Sequence, residues 1–414
     1  MTKKIINTIL VICISSVALG QTTNTGVLVV GSGTIFSTVE DLDNTSTGEF
    51  FNDGDSYIYA NFNNNGVVDF FDGGLTRFIG FNNQDITGAN RSYLYNALFS
   101  NKASDDPFHL YGTISIANES NYERGIVNND DYKGLFIYEQ NGYHIGVSDI
   151  SHTDGVVLKE GNVEFSYPIG DGGYYRYTAI SAPELESDGF DGKYTFENSN
   201  NIYPHNQKEA HIEFIDNTEY WVLNRTFGTS DVVVTLSWRE ETTPAQIYAP
   251  PQENTIRIVR WDELNNQWVD EGGIVDVDNK TVTSIVSGYG IYTLARVLDV
   301  SVSPCGLTIF NAVSANGDGK NDYFLIDNLD DSCVQNLRVK IFNRWGVKVY
   351  EADNYGVGNN VFRGYSDGRL TINEDNKLPT GTYYYILELD YPFGDNETKS
   401  YKTTGYLYLT SDKK

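Results

Sequence analysis

The chain has 414 residues, of which 56 are acidic and 29 basic, so its formal net charge is −27 at pH 7. So negative a field disfavours nucleic acid and anionic membranes as partners, while it tolerates divalent cations. Apolar residues make up 40% of the sequence and aromatic residues 14%, which is enough to build hydrophobic cores and excludes general disorder. Most of the excess acid lies in residues 21–300, which hold 41 acidic and 15 basic residues, an excess of 26.

Residues 1–20 have the features of a secretory signal peptide. Lys3 and Lys4 precede an apolar run from Ile5 to Leu19, and Ala18 and Gly20 supply the small residues of a signal-peptidase site. We expect cleavage after Gly20. The run is too short for a membrane anchor, and no later run approaches the roughly 20 apolar residues that a spanning helix needs. We therefore expect no transmembrane segment in the mature chain.

The remaining sequence is typical of an all-β protein. Tyr, Val, Ile and Thr are abundant, and Asn-Gly, Asp-Gly and Gly-Gly pairs separate short apolar segments. In residues 21–116, two similar Asn-containing turns end at Gly54 and at Gly66. This Asn/Gly-punctuated repeat predicts a β-solenoid-like region, because Asn and Gly suit the corners of a stacked coil. An irregular β-sandwich whose hairpins use the same turn residues is the alternative.

The strand pattern of residues 117–298 predicts an antiparallel β-sandwich. Residues 256–261 and 265–268 have the pattern of a hairpin. Alternating residues near position 235 fall on one face of a strand, as a period of two requires: Val232, Val234, Leu236 and Trp238.

Residues 299–304 form a predicted linker into a C-terminal domain, residues 305–414, that holds both cysteines of the mature chain. Cys305 and Cys333 are 28 positions apart. Outside the cytosol, two cysteines in one small domain favour a disulfide over two free thiols. Such a bond would stabilise the fold by about 3 kcal/mol in the chain-entropy model.

The segment from Asn316 to Asp322 allows two interpretations. Asn316, Asp318 and Asp322 carry oxygen-bearing side chains between glycines, a pattern similar to the first half of a calcium loop. However, Lys320 occupies the third ligand position, and the glutamate expected at the twelfth position is replaced by Asp327. The alternative is a tight turn in which these side chains bond the backbone. Calcium is the single cofactor candidate, and we predict no other.

Four ordered motifs in the C-terminal region identify a family resemblance. They resemble the gliding-motility-associated C-terminal domain, the type B sorting domain of type IX secretion in Bacteroidota. The residues that carry the resemblance are Asn316, Gly317, Asp318, Gly319, Asn321 and Asp322, then Asn343, Arg344, Trp345 and Gly346, then Pro379, Gly381 and Tyr383, and finally Gly405.

The resemblance implies a delivery route and a partner. The route runs across the inner membrane, through the periplasm and an outer-membrane translocon, to the cell surface or the extracellular space. The translocon is the implied partner of the C-terminal domain. The resemblance also implies a seven-stranded immunoglobulin-like β-sandwich, in agreement with the strand pattern. From the spacing of the strands on either side of its turn, we expect Trp345 to pack as a core plug. It implies nothing about what the exported cargo does.

The cargo carries no recognisable catalytic signature, so we do not expect an enzyme. The histidines lack the HxH or HExxH spacing of a metal site: His109, His144, His152, His205 and His211. The tryptophans could stack on sugar rings, but at strand spacing we assign them to the core: Trp221, Trp238, Trp261 and Trp268. We expect a non-catalytic adhesin or structural module with a polysaccharide or cell-surface ligand. The alternative is a carbohydrate-active hydrolase carried by the same sorting domain.

Overall fold

The computed structural model describes residues 21–249, 255–298, 304–329, 332–344, 346–366, 377–393 and 397–411. Its regular structure is almost entirely β, which confirms the predicted fold class. The predicted signal peptide (1–20), most of the predicted linker (299–303) and Trp345 lie outside the described residues.

The chain opens as a coil of short strands. Three consecutive strands make one turn, and each strand pairs in parallel with the strand three places later, so the coil has three parallel sheets. In chain order the first strands are β1 (Thr22–Asn24), β2 (Val27–Val30), β3 (Ile35–Thr38), β4 (Leu42–Asn44), β5 (Glu49–Asn52), β6 (Asp55–Ile58), β7 (Phe62–Asn64), β8 (Val67–Asp69), β9 (Leu75–Gly80), β10 (Gln84–Thr87), β11 (Arg91–Leu94) and β12 (Asn96–Asn101). They continue as β13 (Phe108–Leu110), β14 (Thr113–Ile116), β15 (Glu119–Arg124), β16 (Val127–Asn128), β17 (Leu135–Tyr138), β18 (Tyr143–Ile145), β19 (Thr153–Asp154), β20 (Val157–Glu160), β21 (Phe165–Ser166), β22 (Ile169–Asp171) and β23 (Tyr174–Tyr175).

This coil confirms the solenoid interpretation and rejects the irregular sandwich for residues 21–116. Equivalent positions of the early turns lie 20 apart in sequence, as in the pairing of Leu42 with Thr22 and of Phe62 with Leu42. The step from Gly54 to Gly66 is therefore shorter than a turn, and it joins corners that precede β6 and β8. Parallel stacking continues as far as β22, so the coil extends beyond the predicted boundary at residue 116.

Side chains on the inside of the coil stack from turn to turn. Phe78 and Phe99 lie in parallel with ring centroids 5.4 Å apart, and both are fully buried. Amides form a second stack: the Asn24 Nδ2 donates to Asn44 Oδ1 at 2.8 Å, and the Asn44 Nδ2 donates to Asn64 Oδ1 at 2.9 Å. Since each layer covers the one before it, the coil core is continuous along the axis.

The coil passes into the predicted antiparallel sandwich without a break in one sheet. The further strands are β24 (Thr178–Ile180), β25 (Gly189–Thr195), β26 (Ile212–Ile215), β27 (Tyr220–Phe227), β28 (Val233–Ser237), β29 (Ile256–Asp262), β30 (Gln267–Gly272), β31 (Ile274–Asp276), β32 (Thr281–Ile285) and β33 (Gly290–Val297). The short helix α1 (Ala245–Tyr248) lies between β28 and β29. One sheet runs on from β20 as β25, β27, β33, β29 and β30, and the other is β21, β24, β28, β32 and β31. The predicted hairpin is β29 and β30.

A buried ion pair lies where the last coil turn meets the sandwich. The Arg176 Nη2 is 2.9 Å from Glu219 Oε1, and both side chains are at most 2% exposed. Tyr194 and Thr243 also donate to the Glu219 carboxylate, at 2.6 and 2.5 Å. Burial, together with the charge of this carboxylate, raises the pKa of neighbouring Asp216. The junction therefore depends on a hydrogen-bonded polar core rather than on apolar packing alone.

The C-terminal region forms seven strands in its described residues, the number that we predicted. They are β34 (Thr308–Ile309), β35 (Ala312–Ser314), β36 (Ile326–Asp327), β37 (Gln335–Phe342), β38 (Lys348–Asp353), β39 (Gly381–Phe393) and β40 (Glu397–Thr410). One sheet has the order β35, β40, β39, β37, β38, and β34 pairs with β36 in the other. Their inner faces share a hydrophobic core of their own.

Candidate functional site

The loop from Asn316 to Asp322 is closed by its own side chains. Asp322 accepts hydrogen bonds from the backbone amides of Gly317 and Gly319, both at 2.7 Å. Asn316 accepts from the amide of Asp318 at 3.0 Å. Both glycines have a positive φ, of 77° and 83°, which other residues rarely adopt. Asn316 and Asp322, two of the candidate calcium ligands, thus bond the backbone as in a tight turn, which is the alternative interpretation of this segment.

The second motif forms the hairpin between β37 and β38. The Gly346 amide donates to the Asn343 carbonyl at 3.0 Å, and the Val347 amide donates to Asn343 Oδ1 at 3.0 Å. Arg344 is exposed on the same turn. Trp345, which we expect in the domain core, lies outside the described residues.

The third and fourth motifs meet on the paired strands β39 and β40. Gly381 begins β39, and the hydroxyl of Tyr383 donates to the Pro379 carbonyl at 2.8 Å. The ring of Tyr385 lies against the backbone of Gly405, where a Cβ atom would come within 2.4 Å of the tyrosine oxygen. Glycine at position 405 is therefore required for this ring to enter the domain core.

Cys305 and Cys333 are joined by a disulfide, with an S–S distance of 2.04 Å. The bond ties the start of the domain to the segment just before β37, and the loop from Asn316 to Asp322 lies inside the closed ring of chain.

We expect the secreted protein to contain this disulfide and to lose stability without it. Intact mass measured without reductant should be lower than the mass after reduction by the mass of two hydrogen atoms. Reduction, or replacement of Cys333 by Ser in a Cys305→Ser background, should lower the free energy of unfolding of this domain by about 3 kcal/mol. Two alkylatable thiols in freshly secreted protein would contradict the expectation.

The C-terminal domain packs on the cargo through a small apolar cluster, which we call the docking cluster. It joins Val233 and Ile285 of the sandwich to Phe342 and Ile386 of the C-terminal domain, with Tyr384 at its margin. All four core members are at most 8% exposed. Strand β28 is thus buried on both faces, because Val234 and Leu236 point into the cargo core.

Polar contacts flank the docking cluster on one side. The amide of Gly273 donates to Thr404 Oγ1 at 3.2 Å, and the Lys402 Nζ is 4.0 Å from a carboxylate oxygen of Glu271. Glu271 is fully buried and is paired mainly with Arg260, at 2.7 Å. Among the described residues, the contact between the domains therefore combines an apolar cluster with these polar contacts at its margin.

Beside this contact a cleft of about 1760 Å³ separates the cargo from β39 and β40. On the cargo side, the His211 Nε2 lies 3.0 Å from Asp270 Oδ2, and this hydrogen bond raises the pKa of His211. Burial opposes ionisation of Asp270, but His211 and Arg257 outweigh it and hold the pKa of Asp270 below its usual value. Burial raises the pKa of nearby Glu209. Charged residues of the C-terminal domain face this group across the cleft, among them Arg338, Glu388 and Lys402.

A different polar surface runs along the outside of the coil, on the sheet that begins with β1. Asn63 donates to Asp43 Oδ1 at 2.6 Å, and Thr87 donates to Asn63 Oδ1 at 3.0 Å, each across one turn. A parallel row links Asp85 to His109 at 2.8 Å. The two rows lie beside a shallow groove of about 280 Å³, lined by Gln21, Asp41, Leu42, Asp43, Asn61, Asn63, Asp85 and Thr87. We call this surface the coil groove. Its residues were not singled out from the sequence, because the irregular turn length hides which of them share a face.

The other candidates have structural roles. All four tryptophans considered as sugar platforms are at most 7% exposed, which confirms their assignment to the core. The five histidines are spread over separate parts of the cargo, and each bonds a local partner: Asp85 for His109, Ser166 for His144, Ser148 for His152, Ser199 for His205 and Asp270 for His211. Within the described residues, no three His, Cys, Asp or Glu side chains are grouped so as to hold a metal ion.

Comparison with known proteins assigns the C-terminal region. No curated protein matches the chain. Among the described residues no helix is long and apolar enough to cross a membrane. Residues 307–409 match the model of one family, the CHU_C type IX secretion signal domain. This match covers all four motifs and the strands β34 to β40 almost completely. The chain therefore carries a type IX secretion signal domain at residues 307–409, which indicates export by that system to the cell surface or the extracellular space.

Proposed function

We propose that the cargo, residues 21–298, is a non-catalytic binding module that the secretion signal delivers to the cell surface or the surrounding medium. Its ligand is an extended, hydroxyl-rich polymer such as a polysaccharide, and its binding surface is the coil groove. The proposal concerns the cargo alone, since the secretion signal specifies delivery and not activity.

The observation that carries the proposal is the spacing of polar groups along the coil groove. Neighbouring parallel strands lie about 4.8 Å apart, so equivalent side chains repeat at that interval along the axis. Carboxylate, amide and hydroxyl groups follow one another in the row Asp43, Asn63 and Thr87, linked by hydrogen bonds that fix their orientation. A row of polar groups held in fixed orientations suits a chain-like ligand, because each successive unit can bond a polar side chain that is already ordered.

We expect the full mature chain, Gln21 to Lys414, to bind at least one member of a polysaccharide panel and to leave the panel unhydrolysed. Replacement of Asp43 and Asp85 by Ala should weaken binding by about tenfold each, because each removes a charged hydrogen-bond acceptor. Asp72→Ala is the matched control, since Asp72 is an exposed acid of the same coil outside the groove lining. Calorimetry or retention on immobilised polysaccharide measures the affinity.

The same experiment distinguishes the hydrolase alternative. If the chain releases reducing sugar, and one Asp→Asn or Glu→Gln change abolishes the release, the cargo is a carbohydrate-active hydrolase and not a binding module. If Asp43→Ala and Asp72→Ala weaken binding equally, the ligand does not bind at the coil groove. Calcium should strengthen binding more than sodium does at equal ionic strength if acids of the groove hold the cation, and equally if it only screens charge.

A further inference from the structure

The first turn of the coil is an open end. Strands β1, β2 and β3 are the outermost strands of their three sheets, and each pairs on one side only within the described residues. At the opposite end, one sheet continues into the sandwich through the antiparallel pair β20 and β25. The first turn therefore presents three neighbouring rows of backbone donors and acceptors that no described strand pairs.

The core of the coil is also uncovered at this end. Leu28 and Phe36 point inward and pack on the core, yet both are only partly buried. The counterpart of Leu28 one turn later, Phe50, is 1% exposed because the first turn covers it, and Ser56, the counterpart of Phe36, is also buried. On the outside of the same turn, Val27 and Ile35 are 69% and 72% exposed. Apolar surface and unpaired backbone thus coincide on one small end face.

The same turn has no charged side chain. No Asp, Glu, Lys or Arg occurs in the sequence from Gln21 to Val39, although 21% of the whole chain is charged. At that average, several charged residues would be expected in a stretch of this length. Natural sheets use charges on edge strands to prevent association edge to edge, and this edge lacks them.

We propose that the first turn is a self-association surface, through which two copies of the chain join end to end. Loss of residues 1–20 removes two lysines, which leaves 27 basic and 56 acidic residues and a net charge of −29. Two copies therefore repel each other over most of their surfaces. The neutral end face permits close approach while the acidic parts of the two coils point away from each other.

A two-fold axis gives the pairing its geometry. A rotation perpendicular to the coil axis reverses the partner's strands, so that facing strands run antiparallel and can form regular ladders. One of the three strands faces the same strand of the partner copy. Each of the other two faces the partner's copy of the other one. The partner's first turn would then cover Leu28 and Phe36 as the first turn covers the second.

Two matched substitutions test this surface. Val27, Glu49 and Val67 occupy the same outward row on β2, β5 and β8. Val27→Glu and Val67→Glu therefore each place a second carboxylate beside Glu49, but only Val27 lies on the open end. We expect the mature chain and Val67→Glu to form dimers at micromolar concentration, and Val27→Glu to dissociate at least tenfold more readily in sedimentation equilibrium.

Two further measurements distinguish a weakened dimer contact from a folding defect. Equal thermal midpoints for the two variants show that folding is not the cause, and Ile35→Glu on β3 should weaken the dimer in the same way. A monomeric mature chain over the whole concentration range would overturn the proposal. Equal dissociation of Val27→Glu and Val67→Glu, or an undiminished dimer in Val27→Glu, would also overturn it.

Discussion

Deletion of residues 305–414 should trap the cargo in the periplasm. The deleted segment contains the whole secretion signal domain, so the truncated protein would keep its expected inner-membrane export but lose the signal for export by the type IX secretion system. Fractionation of a native host that expresses full-length and truncated chains measures the effect, and we expect surface or medium levels to fall to the background. Undiminished surface display of the truncated chain would contradict the prediction.

The deletion needs a control, because it also uncovers Val233 and Ile285 of the docking cluster. A cargo that aggregates for this reason would be retained without any failure of recognition. Replacement of both residues by Ser in the truncated chain removes that cause. The reciprocal fusion of residues 304–414 to an inert periplasmic reporter should send the reporter out of the cell.

Replacement of Arg176 by Met should destabilise the cargo by about 3 to 5 kcal/mol, because it leaves the buried Glu219 carboxylate without its cation. Urea unfolding followed by tryptophan fluorescence measures the change, since Trp221 lies next to Arg176 with 5.5 Å between the guanidinium and the ring. The matched control is Glu240→Gln, which breaks an exposed pair with Lys280 of equal length, 2.9 Å. We expect that control to cost less than about 1 kcal/mol. Equal effects for the buried and the exposed pair would contradict the prediction.

Local patterns predicted much of the fold. The alternation in residues 232–238 placed Val232, Val234, Leu236 and Trp238 on one buried face, and the structure confirms this. The hairpin of β29 and β30 also follows the sequence pattern. Such elements depend on neighbours close in sequence and on a period of two, both of which can be read directly.

Features set by distant contacts were not predictable in the same way. Later turns of the coil are unequal in length, since Phe108 pairs with Val127, Val127 with Thr153 and Thr153 with Ile169. No fixed period therefore marks the continuation of the coil to β22. The docking cluster is hidden for another reason. Val233 and Ile386 lie on the strand faces that point away from the cores of their own domains. In the sequence, a residue that contacts another domain from such a face cannot be told from one that faces solvent.

The central position of β33 has a mechanical consequence. This strand is the last described strand of the cargo before the secretion signal domain, and it pairs with β26 and β27 on one side and with β29 on the other. Tension that reaches the cargo from its C-terminal end enters through a strand held on both sides. The hydrogen bonds of the ladders on both sides then share the load, whereas an edge strand would have a single ladder to resist it.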